Sequence, residues 1–414
     1  MLLAALLLPS AGFSAEQGSG DETVKWKDLA GGKAQIQFYG FLRTDVILDD
    51  SRPDSSQTPL YILSEDPAFG AADQSSFTLH PRLTRFGLNL KGAAMTALGG
   101  ATPSGNLEMD FQNGGKETRP IIRIRHAYFK LSWRTLSFLV GQTWDVFGPV
   151  VPTVNNDSTM WNAGNVGDRR PQLRLSWDEK AGKGLFSLAG AAGLTDGVDP
   201  ADLDNNGVRD GEASGRPNTQ LRAGYSRPTS ARTVGTSAGS AGVGAERKWS
   251  VGLSGLYAWH ETATPIAGKD TFRTRAVALD YKLPLWKRIS IQGEAWTGQN
   301  LPDFRGGINQ GVNTTSGEEI ASRGGWLEVG FKAGKSFLIS PGYSIDDPRD
   351  RDVPAGTTQA NAGRVQNRAW FVSNRWQPDP SFMVGIDFLR WITDYKAFES
   401  GVDNRVNAYF QYIF

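Results

Sequence analysis

The chain contains no cysteine. Disulfide scaffolds, Cys-ligated zinc, iron–sulfur clusters and Cys nucleophiles are excluded together. The absence suits an oxidising compartment, where a stray thiol is a hazard. Histidine is scarce too: His80, His126 and His260 are the only three in 414 residues, so a multi-His metal centre would need them to converge. Neither sign of charge dominates, with 44 Lys and Arg against 43 Asp and Glu and a formal net charge of +1. That balance gives no footing for nucleic acid as a partner. No stretch approaches eighteen apolar residues, so no transmembrane helix is legible.

What is present is turn-rich and aromatic: 49 Gly, 21 Pro, 13 Trp and 11% aromatic residues. These values suit a large all-β chain better than a helical one. Residues 1–15 (MLLAALLLPSAGFSA) read as the apolar and cleavage regions of a secretory signal. The basic region that usually opens such a signal is missing, which reads as an internal or truncated start. Residues 16–33 are then a short polar segment on the periplasmic side, and residues 34–414 form one domain.

From residue 34 the hydrophobic pattern has period two. Phe38, Leu42, Val46 and Leu48 alternate with Tyr39, Arg43 and Asp45. The alternation recurs in about sixteen runs, near 34–48, 76–91, 105–111, 120–131, 136–143, 170–178, 185–195, 219–226, 248–260, 271–283, 288–299, 323–334, 336–346, 365–377, 381–395 and 404–414. Most have the length that a tilted strand needs to cross a membrane. Short turns alternate with long polar segments, the longest being 49–75, 144–169, 196–218, 301–322 and 347–364. Two connections, 92–104 and 227–247, break this rule by being long where a short turn belongs.

The face opposite the apolar one carries Arg43, Asp45, Arg85, Glu108, Asp110, Arg123, Arg125, Arg174, Glu294 and Glu328. A dry core could not hold so many charges, whereas a water-filled lumen can. The expected fold class is therefore an all-β transmembrane antiparallel β-barrel of about sixteen strands. It has short periplasmic turns and long extracellular loops, and one of those loops is folded into the lumen. Tyr128, Trp177, Tyr225, Trp249, Tyr257, Trp259, Tyr281 and Trp376 suit interfacial girdles. His126 is expected to face outward beside Tyr128, and Trp296 and Trp326 inward. The last strand, 406–414, alternates and ends in Phe, as the closing strands of outer-membrane barrels commonly do. Together with the export signal, this points to the outer membrane of a diderm bacterium.

Four stretches resemble the trimeric DcaP-like outer-membrane porins of Gram-negative-type bacteria. They are Phe38-Tyr-Gly-Phe-Leu-Arg-Thr-Asp45, Arg82-Leu-Thr-Arg-Phe-Gly-Leu88, Ile124-Arg-His-Ala-Tyr128 and Val140-Gly-Gln-Thr-Trp144. The terminal strand fits as well. The resemblance implies a sixteen-stranded homotrimer and passive uptake of small, often anionic solutes such as carboxylates. Members of that group carry a longer N-terminal helical segment, where this chain has only residues 16–33.

The third long loop, 144–168, is the expected constriction. It is unusually apolar for an exposed loop, and a barrel wall would give Phe147 and Trp161 something to pack on. Arg43, Arg85, Arg123, Arg125, Arg174 and Arg222 are expected to line the pore. With Asp145, Asp157 and Asp168 on the loop they would set up a transverse field that favours anions. The alternative is that each Arg pairs with a wall carboxylate such as Glu108 or Asp110 and holds the barrel. In the fourth loop, Asp202-x-Asp204-x-Asn206-Gly207-x-x-Asp210 matches the opening of a calcium loop, with Ala213 where a bidentate Glu usually stands. A solvated acidic turn is the plainer alternative.

The expected function is a porin with outer-membrane lipid and lipopolysaccharide around it and small anionic or polar solutes passing through it; no cofactor is required, and Ca2+ in that loop is the one candidate. A substrate-specific sugar or other solute channel is the alternative. A barrel-embedded enzyme would need a Ser–His or Asp–His constellation. The three His fall on separate strands, and no G-x-S-x-G elbow appears in a strand–turn–helix setting.

Overall fold

The computed structural model describes residues 27–414 except 30, 32, 56–57, 71–72, 113–120, 155–156 and 229–247. The expected signal peptide, the first part of the 16–33 segment and nearly all of the 227–247 connection lie outside the described residues. Sixteen antiparallel strands close into a barrel. They are β1 Ala34–Asp49, β2 in two pieces (Ser76–His80 and Arg85–Gly92), β3 Thr102–Asp110, β4 Arg123–Ser132, β5 Leu136–Trp144, β6 Arg169–Ala181, β7 Gly184–Gly193 and β8 Asn218–Pro228. The second half comprises β9 Lys248–Ile266, β10 Lys269–Pro284, β11 Ile289–Gln299, β12 Ala321–Lys332, β13 Phe337–Pro348, β14 Arg364–Asp379, β15 Phe382–Tyr395 and β16 Gly401–Ile413. Each strand pairs with the next, and β16 closes on β1 from Phe41 opposite Ile413 to Leu48 opposite Val406. A short strand, Lys27–Leu29, pairs with the start of β1.

The terminal Phe continues that seam. The amide of Gly40 donates to the Phe414 carbonyl and the amide of Phe414 to the Gly40 carbonyl, both at 3.1 Å. The Phe414 ring stacks on Phe38 at 5.5 Å between centroids. Gly40 is required here, because a Cβ would lie 2.3 Å from the Arg85 carbonyl oxygen and 3.0 Å from the Phe414 ring.

The period-two alternation sorts side chains as expected. Leu42, Leu79, Leu173, Leu253, Val277 and Phe388 are exposed on the outside, while Arg43, Asp45, Glu108, Asp280, Glu294 and Glu328 are buried inside. A continuous apolar outer belt is stable only in lipid. Trp177, Trp249 and Trp376 are exposed on this outer face. The described residues contain no helix that is long and apolar enough to cross a membrane.

Four local features depart from the sequence reading. β2 breaks at 81–84, beginning at Pro81, which has no amide hydrogen for the ladder. The Thr84 hydroxyl repairs the gap by accepting from the Arg43 amide and donating to the Arg43 carbonyl, both at 3.0 Å. The 92–104 connection is a compact turn over 93–101, with a bridge between Met95 and Ala101. β9 and β10 run on to a two-residue turn at Ala267 and Gly268, both with positive φ (49° and 83°), the backbone that matches strand twist in a tight hairpin. On β4 a bulge at Arg125 leaves Glu108 opposite His126 and Met109 opposite Ile124. The extra residue changes the phase. His126 therefore turns inward, against Thr143 at 3.0 Å, and not outward as its alternation suggested. Tyr128, two residues on and edge-to-face with His126, follows it away from the girdle.

Candidate pore and constriction

Residues 145–154 and 157–168, between β5 and β6, fold into the barrel and cross it. The Thr153 amide and hydroxyl both donate to Glu328 on β12 at 2.8 Å. Trp296 on β11 donates from its indole to the Gly164 carbonyl at 2.8 Å. Asn367 on β14 donates to the Asn162 carbonyl at 2.8 Å, and Arg375 on the same strand donates to the Thr153 carbonyl. At Gly164 (φ 117°) the loop backbone lies so close to the wall that a Cβ would sit 2.4 Å from the Gly325 carbonyl oxygen.

Apolar side chains explain why the loop goes in. Val154, Met160 and Ala163 join Ile62, Ala369, Phe371, Leu389 and Trp391 in one buried cluster. Phe147 and Val166 join Leu256, Ala276, Ala278, Trp296, Leu301 and Phe304 in a second. The wall of β9–β11 and of β14–β15 is thus apolar on its inner face where the loop rests. Burying such side chains is worth about 1.5–3 kcal/mol each.

The loop's charged residues hold its base. Asp145 accepts from Arg170 at 2.7 Å and from Gln220 at 2.8 Å. Arg170, fully buried, also reaches Asp303 in the 300–320 loop at 2.5 Å. Asp168 pairs with Arg169 at 3.1 Å and Arg305 at 2.9 Å. Burial opposes its charge, but these two guanidiniums hold its carboxyl below the ordinary range. Phe147 is fully buried. Trp161 lies under the guanidinium of Arg305, 4.7 Å from the ring centroid. Only Asp157 of the three loop carboxylates borders the open lumen. It lies 3.6 Å from His80 and 3.7 Å from Arg405. Burial and the charge of Asp45 push it up to about 7, against the pull of Arg405, Arg43 and Arg82.

The remaining lumen is a cavity of 610 Å³ between the loop segment 149–153 and the opposite wall. Ten Arg and Lys side chains border it against three carboxylates, Asp157, Asp280 and Glu328. Five of the six arginines singled out from the sequence are there: Arg43, Arg85, Arg123, Arg125 and Arg222. Each has a wall carboxylate. Arg43 pairs with Asp45 at 2.5 Å and Arg222 with Asp280 at 2.6 Å. Arg125 bridges Glu108 at 2.7 Å and Asp110 at 2.9 Å, Arg123 meets Asp110 at 2.7 Å, and Arg85 lies 3.6 Å from Glu108. Arg174 is elsewhere, bonding Gln172 at 2.8 Å and the Trp144 carbonyl.

The sequence reading missed Arg169, Lys282, Arg288, Lys332 and Arg375. Strand parity could have found three of them: Lys282 follows Asp280, Lys332 follows Glu328, and Arg375 follows Phe371 at even spacing. The three His sit apart on β2, β4 and β9, each beside a carboxylate: Asp157, Glu108 and Asp196.

No family profile and no curated relative matches the sequence. Solved structures do. The outer membrane channel DcaP of Acinetobacter baumannii aligns over 94% of this chain and 99% of its own, with a TM-score of 0.69 and 16% identity. The fold is that of the DcaP-like porins. An anion-selective porin from Comamonas acidovorans aligns over 92% of this chain and 100% of its own (TM-score 0.53, 13% identity). OmpF of Salmonella typhi in complex with daunomycin covers 94% and 100% (TM-score 0.53, 11% identity). A porin fold with an apolar outer belt belongs in an outer membrane.

Proposed function

We propose that this chain is an outer-membrane porin. It forms a water-filled channel for passive diffusion of small hydrophilic solutes, favours anions such as carboxylates, and assembles as a homotrimer. The observation that carries the anion preference is the presence of ten Arg and Lys side chains around the lumen against three carboxylates, in a chain whose net charge is only +1. Guanidinium groups stay charged and match carboxylate geometry, and a lumen of one sign concentrates counter-ions. The neighbour described as anion-selective shares the fold and supports the same reading. Arg275, Arg323 and Arg349, exposed on the outer face at the long-loop rim, suit the anionic headgroups of lipopolysaccharide.

The test is single-channel recording of the reconstituted protein across a salt gradient. Conductance in steps of three with an anion-favouring reversal potential is expected. A closed barrel, or a reversal potential that favours cations, would refute the reading.

A further inference from the structure

We propose that the loop between β7 and β8 binds a calcium ion through Asp202, Asp204, Asn206 and Asp210. The three carboxylates each offer an oxygen, and these oxygens lie within 4.8 Å of one another. Among the described residues, no Lys, Arg or His forms an ion pair with any of the three. The nearest cation in sequence, Arg209, is turned to Glu212 and to the Asp196 carbonyl.

Two oxygens in this loop are both buried and without a hydrogen bond: Oδ1 of Asp204 and Oδ1 of Asp210. Asp210 is only 1% exposed. Its other oxygen accepts from the Leu203 amide at 3.0 Å, which fixes the carboxylate in place. Asp204 is fixed likewise, its Oδ2 accepting from the Thr264 amide of β9 at 2.8 Å. An orphaned carboxylate oxygen in a buried place costs free energy, and a second one beside it adds repulsion. A hard cation removes both penalties, because Ca2+ accepts carboxylate, carboxamide and carbonyl oxygens in irregular numbers.

The backbone is already wound as such a ligand loop needs. Asp202 accepts from the amides of Asn206 and Gly207, each at 3.0 Å, and Asn206 accepts from Val208 at 2.7 Å. Gly207 takes the sharp turn at φ 81°. With Glu212 engaged by Arg209, the site lacks the bidentate Glu of the tightest loops, so its affinity falls in the ~0.1–1 mM range of extracellular calcium modules. The bound ion would fasten the loop to β9. It would also brace Asp196, which accepts from the Gly211 amide at 2.5 Å and whose own amide donates to Asp303 of the constriction clamp at 3.0 Å.

The experiment uses the whole detergent-solubilised protein, stripped with chelator. Calcium chloride is titrated in by calorimetry, and melting is followed with calcium, magnesium or sodium chloride at equal ionic strength. One saturable site and a higher melting temperature in calcium are expected, with a smaller response to magnesium. The variant D204N/D210N should lose both responses. D202N, which keeps a side-chain oxygen for the two amides, is the second variant should the first fail to fold, and it should weaken binding at least tenfold. No saturable heat from the wild type, or an undiminished response in a folded variant, would overturn the proposal.

Discussion

Arg123 offers the cleanest test of selectivity. Its side chain is 29% exposed to the lumen, whereas Glu108 and Asp110 behind it are fully buried. Replacing it by Gln removes one facing charge without stranding a carboxylate, because Asp110 keeps Arg125 at 2.9 Å. A unit charge ~5 Å from a passing ion contributes about 0.8 kcal/mol at the dielectric of water, and about 0.5 kcal/mol after screening at 0.1 M salt. That is a factor of about two on the anion and its inverse on the cation, so R123Q should lower the anion-to-cation permeability ratio roughly fivefold. Reversal potentials across a potassium chloride gradient measure it. R323Q is the control, since Arg323 pairs with Asp347 on the outer face and changes net charge equally. An unchanged ratio in R123Q, or an equal change in both variants, would refute the lumen-field reasoning. Raising the salt to 1 M should shrink the difference, because the Debye length falls to about 3 Å.

Three further outcomes are expected. R170M removes a fully buried cation shared by Asp145 and Asp303, which should cost about 3–5 kcal/mol, lower the melting temperature and loosen the constriction to a larger, noisier conductance. A folded-state pKa near 7 for Asp157 lies above its unfolded value. Its contribution to loop seating is therefore full below about pH 4 and is lost as pH rises through 7, so conductance fluctuations should grow between pH 5 and 8 and D157N should abolish the pH dependence. A midpoint retained in D157N but lost in H80Q would assign the titration to His80. G40A should slow barrel closure and cost about 1–3 kcal/mol in urea denaturation, since its Cβ meets the Arg85 carbonyl.

The barrel was legible because period two is a physical consequence of a strand with lipid on one side and water on the other. The alternation holds wherever both faces keep that rule, and it shifts where local chemistry changes the phase. Pro81 breaks β2, and the Arg125 bulge turned His126 and Tyr128 inward. The inner apolar patches were harder to see. Ala276 and Ala278 look like lipid-facing residues by composition, yet together with Trp296, which parity placed inward, they receive Phe147 and Val166 from a loop more than 100 residues earlier. Only the loop's own apolar character announced that contact. The parity that placed Arg43 and Arg222 would also have placed Lys282 and Lys332, had it been carried along β10 and β12.

Holding the wall and selecting ions are not exclusive tasks for these arginines. Around Glu108 and Asp110 there are three guanidiniums, Arg85, Arg123 and Arg125, for two carboxylates. Pairing fixes their geometry but leaves one positive charge over. It also sets a direction, because the carboxylates lie behind the guanidiniums, away from the water. A dipole of that orientation presents its positive end to the lumen even where the pair is neutral. The carboxylates keep the arginines extended and charged near a low-dielectric wall, where an unpaired cation would be costly. Removing Glu108 should therefore not raise anion selectivity, as simple charge counting would have it. E108Q should lower the stability of the barrel and let Arg85 and Arg125 collapse toward other acceptors, and the permeability ratio should fall or stay level. A clear rise in that ratio, in a folded E108Q barrel, would show that the pairing merely offsets the field.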